Sequence, residues 1–170
     1  CGFESRSRYQ YLMTVEQRLS ELKISLPPAP KAGGIYQSVL IRENFAYVSG
    51  HGPMRDDYSY ITGKVGVDLN TDEAKFAARQ TGLAILASLR AKFGSLNNIQ
   101  CLVKSFGMVN ATPDFSEHPL VINGYSELMV EVFGEDNGIG ARSAVGMGSL
   151  PGNMAVEIEA IFEVKSGDHV

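Results

Sequence analysis

The chain has 170 residues, of which 44% are hydrophobic and 20% charged, and its formal net charge is −4. This length suits one domain with its own core, and the composition excludes a disordered chain. The acidic balance gives no general attraction to nucleic acid phosphates. No apolar run approaches the roughly 20 residues of a membrane-spanning helix, and no secretory leader is recognisable. We therefore expect a cytoplasmic or organelle-matrix protein without a membrane partner.

The first 30 residues are interpreted as an N-terminal extension. Residues 1–12 resemble an appendage, with Met13 as the natural start. Thr14 is placed to cap a short helix, and a proline-rich run over 26–30 ends that helix because proline lacks an amide donor. Residues 31–170 are then expected to form a single domain.

The domain is predicted to begin with a β-hairpin, because short apolar runs flank turn residues. The expected elements are, in order, a strand over 39–41, a turn at 42–44, a strand over 45–50 that ends at the His-Gly-Pro sequence of 51–53, a surface loop over 54–62 and a short edge strand over 63–66.

Two longer helices have recognisable ends. The first is expected to start after Asn70, whose side chain can form a reciprocal cap with Glu73, and to stop at Gly94. The second has Pro119 in its first turn and stops at Gly134. Apolar residues recur at helical spacing in both segments, which predicts that each helix packs one face against a core.

Three more strands follow from the pattern of apolar residues. One covers residues 99–108, with Leu102 and Val103 expected to be buried. The run over 141–151, continuing through 155–162, is interpreted as two partner strands joined by a Leu-Pro-Gly-Asn connection.

Period-two alternation in the last strand places Glu157 and Glu159 on one face and apolar residues on the other. The predicted fold class is α+β, with a single mixed β-sheet and two helices packed on one face. The other face is either solvated or covered by another chain, and a closed ring of identical subunits would cover it.

Two side chains are candidates for chemistry. Arg142 precedes an apolar strand, and its guanidinium is suited either to a surface ion pair or to the carboxylate of a ligand. Glu157 lies in the middle of a strand between valine and isoleucine. It is either a glutamate of a solvated face or, near an arginine, a group that orients or deprotonates water. The residues alone leave both alternatives open.

The histidines and cysteines form no recognisable site. His51, His118 and His169 make no ligand cluster, and His51 is interpreted as a loop histidine. Cys1 and Cys101 have no metal or disulfide spacing, and Cys101 is expected to be a buried, inert thiol. The chain also lacks a serine-nucleophile elbow, a dinucleotide fingerprint, a phosphate loop and a zinc pair.

The C-terminal strands resemble the signature of a known family. The segments concerned are Ala141-Arg142-Ser143-Ala144-Val145, Leu150-Pro151 and Val156-Glu157-Ile158-Glu159-Ala160. They are similar to the Rid family of reactive intermediate deaminases, also called the YjgF family. Tyr47-Val48-Ser49-Gly50 resembles the second-strand motif of that family, with Tyr36 at the matching distance before it, and Asn123-Gly124 with Phe133-Gly134 resembles its second helix. The likeness runs from about Gly34 to Val164, and its Arg-to-Glu signature is fairly specific.

This resemblance implies a chorismate-mutase-like fold, a homotrimer and a ligand site in each cleft between subunits. It implies hydrolytic deamination of imines or enamines derived from amino acids, which gives a 2-keto acid and ammonia. Arg142 would hold the carboxylate of the small substrate, and Glu157 would position or activate water as a general acid/base. The residues expected to line the cleft are Tyr36, Ser49, Gly50, Ala144 and Asn123. No metal and no cofactor are implied.

Some positions depart from the family pattern. Gly140 stands where deaminases of the family usually have proline, Ala144 where they often have cysteine, and His51 where glutamine is common. These departures indicate a divergent subgroup and leave the substrate open. Two alternatives are a non-catalytic or regulatory trimer that binds a small carboxylate, and an endoribonuclease. The acidic balance and the lack of a histidine pair argue against the endoribonuclease.

Overall fold

The computed structural model describes residues 13–166, so the expectations for residues 1–12 and His169 lie outside the described range. The elements in chain order are α1 (Val15–Glu21), β1 (Val39–Arg42), β2 (Phe45–His51), α2 (Thr71–Phe93), a 3₁₀ helix (Leu96–Asn98), β3 (Ile99–Asn110), α3 (His118–Phe133), α4 (Glu135–Gly138), β4 (Ala141–Met147), a second 3₁₀ helix (Pro151–Asn153) and β5 (Val156–Val164). No helix within residues 13–166 is both long and apolar enough to cross a membrane.

The ends of α2 follow from local chemistry, as predicted. The Asn70 side chain accepts a hydrogen bond from the Glu73 amide, and the Glu73 carboxylate accepts one from the Asn70 amide, each at 2.9 Å. Gly94 closes the helix with φ at 74°, a left-handed conformation that favours glycine. Helix α3 also starts and stops as expected, with Pro119 in its first turn and Gly134 at its end.

One mixed sheet with the order β1-β2-β5-β3-β4 carries α2 and α3 on one face. Alternate residues of β5, from Val156 to Val164, are buried beneath the helices, whereas Glu157 and Glu159 lie on the opposite, open face. The α+β fold class and the alternation of β5 are thereby confirmed. The two helices approach closely at Gly124, where a Cβ would lie 2.9 Å from the Lys75 carbonyl carbon.

The interpretation of β4 and β5 as partner strands is wrong. Strand β3 lies between them, parallel to β4 and antiparallel to β5. Helix α3 is the crossover that returns the chain parallel to β3, as parallel pairing requires. The connection after β4 then carries the chain to the other side of β3, which puts β4 at the edge of the sheet.

Two local expectations also fail. Val103 is 37% exposed because the pairing of β3 with β5 shifts register between Leu102 and Lys104. Residues 63–66 form no strand, since Gly63 and Gly66 have φ of 129° and 99° and interrupt extended backbone. Residues 54–62 form the predicted surface loop, in which Met54 and Ile61 are buried.

Candidate functional site

Arg142 lies on the helix-covered side of edge strand β4. It is paired in register with Ser105 of β3, whose side chain is buried under α3. The Ser105 hydroxyl bonds to the hydroxyl of Tyr125 at 3.1 Å, and this contact fixes α3 over the strand. The first turns of α3 consequently lie beside the guanidinium.

Neutral acceptors of α3 hold the guanidinium. Its Nη1 donates to Asn123 Oδ1 at 2.8 Å and to Ser126 Oγ at 3.0 Å, and Nη2 lies 3.5 Å from the Pro119 carbonyl oxygen. Within residues 13–166, no carboxylate lies within ion-pairing distance of Arg142. The expected alternative of a surface ion pair therefore does not apply, and the positive charge is left available to a ligand.

Glu157 lies on the open face of β5, in register with Met108. The side chain is half-buried, and the described residues give its carboxylate no hydrogen-bond partner. Burial raises the pKa of Glu157 above its usual range, and repulsion from Glu159 adds to the rise. A carboxyl group of this kind can take up or release a proton nearer neutral pH than an exposed glutamate can.

A β-bulge in β2 brings Gly50 against Glu157. Val48 pairs with Ala160 and His51 pairs with Ile158, so two residues of β2 oppose one residue of β5. A Cβ at Gly50 would overlap the Glu157 carboxylate and would lie 2.9 Å from its Cδ. Glycine at this position is what allows the carboxylate to lie against β2.

The open face next to this bulge carries a concavity of about 680 Å³. Tyr36 and Ser49 line it, and the Ser49 hydroxyl donates to the Gln37 carbonyl at 2.7 Å. Its wall also includes aromatic and charged side chains that the sequence did not single out for a site, namely Arg42, Tyr47, Lys104, Phe106 and Glu159. Gly50 and Glu157 do not line the concavity; Gly50 follows Ser49 in the chain, and Glu157 is two residues from Glu159 on the same face of β5.

The predicted site residues fall into two groups within one chain. Tyr36, Ser49, Gly50 and Glu157 are together on the open face, whereas Arg142 and Asn123 are together on the helix side, with Ala144 two residues along β4 from Arg142. Strand β3 alternates between the faces, with Ser105 under the helices and Met108 on the open face. A single chain therefore does not bring Arg142 and Glu157 into one cleft.

His51 is not a loop histidine. It ends β2, is 5% exposed, and uses both ring nitrogens, with Nδ1 2.6 Å from the Ser49 carbonyl oxygen and Nε2 2.7 Å from Ser88 Oγ. Burial lowers the pKa of His51, so its ring is neutral at physiological pH. Cys101 is only half-buried and lies on the open face, where burial and the nearby Glu163 raise the pKa of its thiol.

One side chain that contacts Arg142, that of Ser126, is not predicted from the sequence. Ser126 follows Asn123 by three residues on α3, a spacing that places both on one helix face. That spacing indicates a contact of Ser126 with Arg142 only when Arg142 is known to face α3. Among residues 13–166, no three His, Cys, Asp or Glu side chains are grouped so as to hold a metal ion.

Comparison with known proteins identifies the family. The model of the family described as "YjgF/chorismate mutase-like, putative endoribonuclease" matches residues 16–157. Protein TCP17 of Trypanosoma cruzi is 36% identical over 152 residues, which cover 89% of this chain and 95% of that protein.

Solved structures agree with this match. The crystal structure of protein Atu1372 from Agrobacterium tumefaciens has a TM-score of 0.80 and 41% identity, covering 90% of this chain and 93% of its own. The crystal structure of RidA from the Antarctic bacterium Psychrobacter sp. PAMC 21119 has a TM-score of 0.57 and 27% identity, covering 83% and 98%. The chain belongs to the YjgF/chorismate mutase-like family, which is also the Rid family.

Proposed function

We propose that the protein hydrolyses imines or enamines derived from amino acids, giving a 2-keto acid and ammonia. The observation that carries the proposal is Arg142, whose guanidinium is held by the neutral oxygens of Asn123, Ser126 and Pro119 and has no carboxylate partner among the described residues. A guanidinium fixed in this way is suited to bind the carboxylate of a 2-imino acid through two parallel hydrogen bonds.

Glu157 supplies the proton transfers of the proposed reaction. Water adds to the carbon of the C=N bond, the π electrons pass to nitrogen, and Glu157 takes a proton from the water. Glu157 returns this proton to the nitrogen, which gives the carbinolamine. It then takes the hydroxyl proton and passes it to the leaving nitrogen, so that the C=O bond forms, the C–N bond breaks and ammonia leaves the 2-keto acid. The raised pKa of Glu157 suits this alternation between base and acid.

The proposed site is shared by two subunits of a homotrimer. The placement of Arg142 on the helix side of β4 and of Glu157 on the open face supports this proposal, because one chain alone does not bring the two side chains into one cleft. A ring of three chains would set the Arg142 side of one subunit beside the open face of the next, and it would also cover that face. Small carboxylates are the proposed ligands, and we propose a cytoplasmic protein that needs no metal or cofactor.

The test is the release of 2-keto acid and ammonia from 2-iminopropanoate and bulkier imines, generated in situ by an amino acid oxidase. We expect the wild-type protein to accelerate hydrolysis and both Arg142→Ala and Glu157→Gln to abolish the acceleration. Arg55→Ala is the matched control, because Arg55 is an exposed arginine that bonds only within its own loop.

Three outcomes are distinguishable. No acceleration with any imine contradicts the proposal. Retention of activity by Glu157→Gln contradicts the role of Glu157 in proton transfer. Loss of activity in Arg55→Ala would show that removing any arginine is enough, so the effect of Arg142→Ala would not be specific.

A further inference from the structure

The β2 bulge has its own anchor on the helix side of the sheet. The extra residue of a bulge is left without a hydrogen-bond partner in the neighbouring strand. Here the Ser49 carbonyl oxygen is hydrogen-bonded instead to Nδ1 of the buried His51 ring, at 2.6 Å. A carbonyl oxygen only accepts, so Nδ1 of His51 carries the proton. In the neutral ring Nε2 is then an acceptor, and the Ser88 hydroxyl of α2 donates to it at 2.7 Å.

These two bonds fix the ring and the bulge together. With both nitrogens engaged, the ring has one tautomer and one orientation. Ser49 is also held from the other side, where its amide donates to the Ser38 carbonyl at 3.0 Å and its hydroxyl to the Gln37 carbonyl at 2.7 Å. The backbone of the bulge is consequently tied both to α2 and to the segment that precedes β1.

The bulge in turn sets the position of the carboxylate. Gly50 follows Ser49 directly, and there is no room for even a Cβ between its backbone and the Glu157 carboxylate. A shift of the Gly50 backbone therefore moves the surface on which Glu157 rests. Contacts run without a gap from Ser88 through His51 and the bulge to Glu157.

We propose that His51, anchored by Ser88, is a positioning residue that holds the Ser49–Gly50 bulge and thereby fixes the Glu157 carboxylate for proton transfer. This inference rests on the proposed function of Glu157. It predicts an effect on turnover rather than on substrate binding, because the carboxylate clamp at Arg142 lies on the other side of the sheet and has separate supports on α3.

The test compares His51→Leu with His51→Gln. Leucine fills a similar space without polar atoms, whereas glutamine retains one N–H donor and one oxygen acceptor. We expect His51→Leu to lower kcat for imine hydrolysis by about tenfold or more, because small displacements of a catalytic group are costly. KM should stay within about twofold, and His51→Gln should recover most of kcat. Ser88→Ala, which removes only the far anchor, should show a smaller loss and serves if His51→Leu does not fold.

A matched control separates positioning from stability. Thr81 is a fully buried residue of α2 whose hydroxyl donates to the Ala77 carbonyl at 3.0 Å, and the pair lies outside the chain of contacts to Glu157. Thr81→Val removes a buried hydrogen bond of the same helix. It should lower the melting temperature but leave kcat unchanged.

A second readout does not depend on activity. The Glu157 carboxyl can be titrated by NMR in the isotope-labelled protein. Loosening the bulge admits water to the carboxylate, so His51→Leu should move the Glu157 pKa down toward its usual range, whereas His51→Gln and Thr81→Val should not. If the wild-type protein hydrolyses no imine, the proposed function fails, and this titration still decides whether His51 positions Glu157. Wild-type kcat and an unchanged Glu157 titration in His51→Leu would overturn the inference.

Discussion

The contact between Gly50 and Glu157 gives the sharpest single-residue prediction. In Gly50→Ala the new Cβ would lie 2.9 Å from Cδ and 3.2 Å from Cγ of Glu157, and it would overlap a carboxylate oxygen. Ordinary contact distances require the carboxylate to move by about 1 Å or more, and displacements of this size cost roughly 10²-fold in rate. We therefore expect kcat for imine hydrolysis to fall by about two orders of magnitude.

Stability should change little in the same variant. The atoms in the way are the end of a flexible side chain next to the open face, so the side chain rotates and the backbone does not need to shift. We expect a cost of about 1 kcal/mol or less, at the low end of overpacking, which corresponds to a fall of roughly 2–4 °C in melting temperature for a chain of this size. The assay pairs steady-state kinetics with thermal unfolding.

Gly148→Ala is the matched control, because a Cβ at Gly148 would meet nothing within 4 Å. It should leave both kcat and the melting temperature at the wild-type values. Wild-type kcat in Gly50→Ala would contradict this prediction, since the carboxylate could then tolerate displacement. A large fall in melting temperature would also contradict the prediction, because it would show that the backbone shifts instead of the Glu157 side chain.

Three further predictions concern charge and packing. Glu157→Gln should raise the melting temperature at neutral pH, because the raised pKa of Glu157 means that its ionised carboxylate destabilises the folded state. This gain in melting temperature should vanish below the usual carboxyl pKa. An equal gain at all pH values would show that ionisation of Glu157 is not the cause. Arg142→Lys should raise KM for imino acids by about tenfold or more, since an ammonium cannot form the bidentate pair, and an unchanged KM would argue against the clamp. Gly124→Ala should destabilise by about 2–3 kcal/mol in urea unfolding, because its Cβ meets the backbone of Lys75; a neutral effect would show that the helices separate easily.

Much of the fold could be predicted from sequence because it depends on local chemistry. The start of α2 needs only Asn70 and Glu73, and its end needs only a glycine that adopts positive φ. The alternation of β5 identifies the face that carries Glu157 and Glu159 without any knowledge of the neighbouring strands. Such signals lie within a few residues of the feature that they predict.

The site could be predicted only in part, because its geometry depends on distant segments. The family resemblance assigned roles to Arg142 and Glu157, but their placement on opposite faces depends on how β4 and β5 pair with β3, which lies between them. The anchoring of His51 depends on a register shift of one residue in β2 and on a serine 37 positions further along the chain. Neither leaves a local pattern in the sequence.

We propose that one site uses Arg142 of one subunit and Glu157 of its neighbour, and complementation between inactive chains tests this. Arg142→Ala and Glu157→Gln chains carrying different affinity tags would be co-expressed, and oligomers containing both would be isolated by sequential purification. In a closed trimer, either mixed composition contains one site with both wild-type groups, so about one third of wild-type activity should return from two inactive variants. A shared site would be contradicted if the mixed oligomers were inactive while the wild-type protein carrying either tag was active.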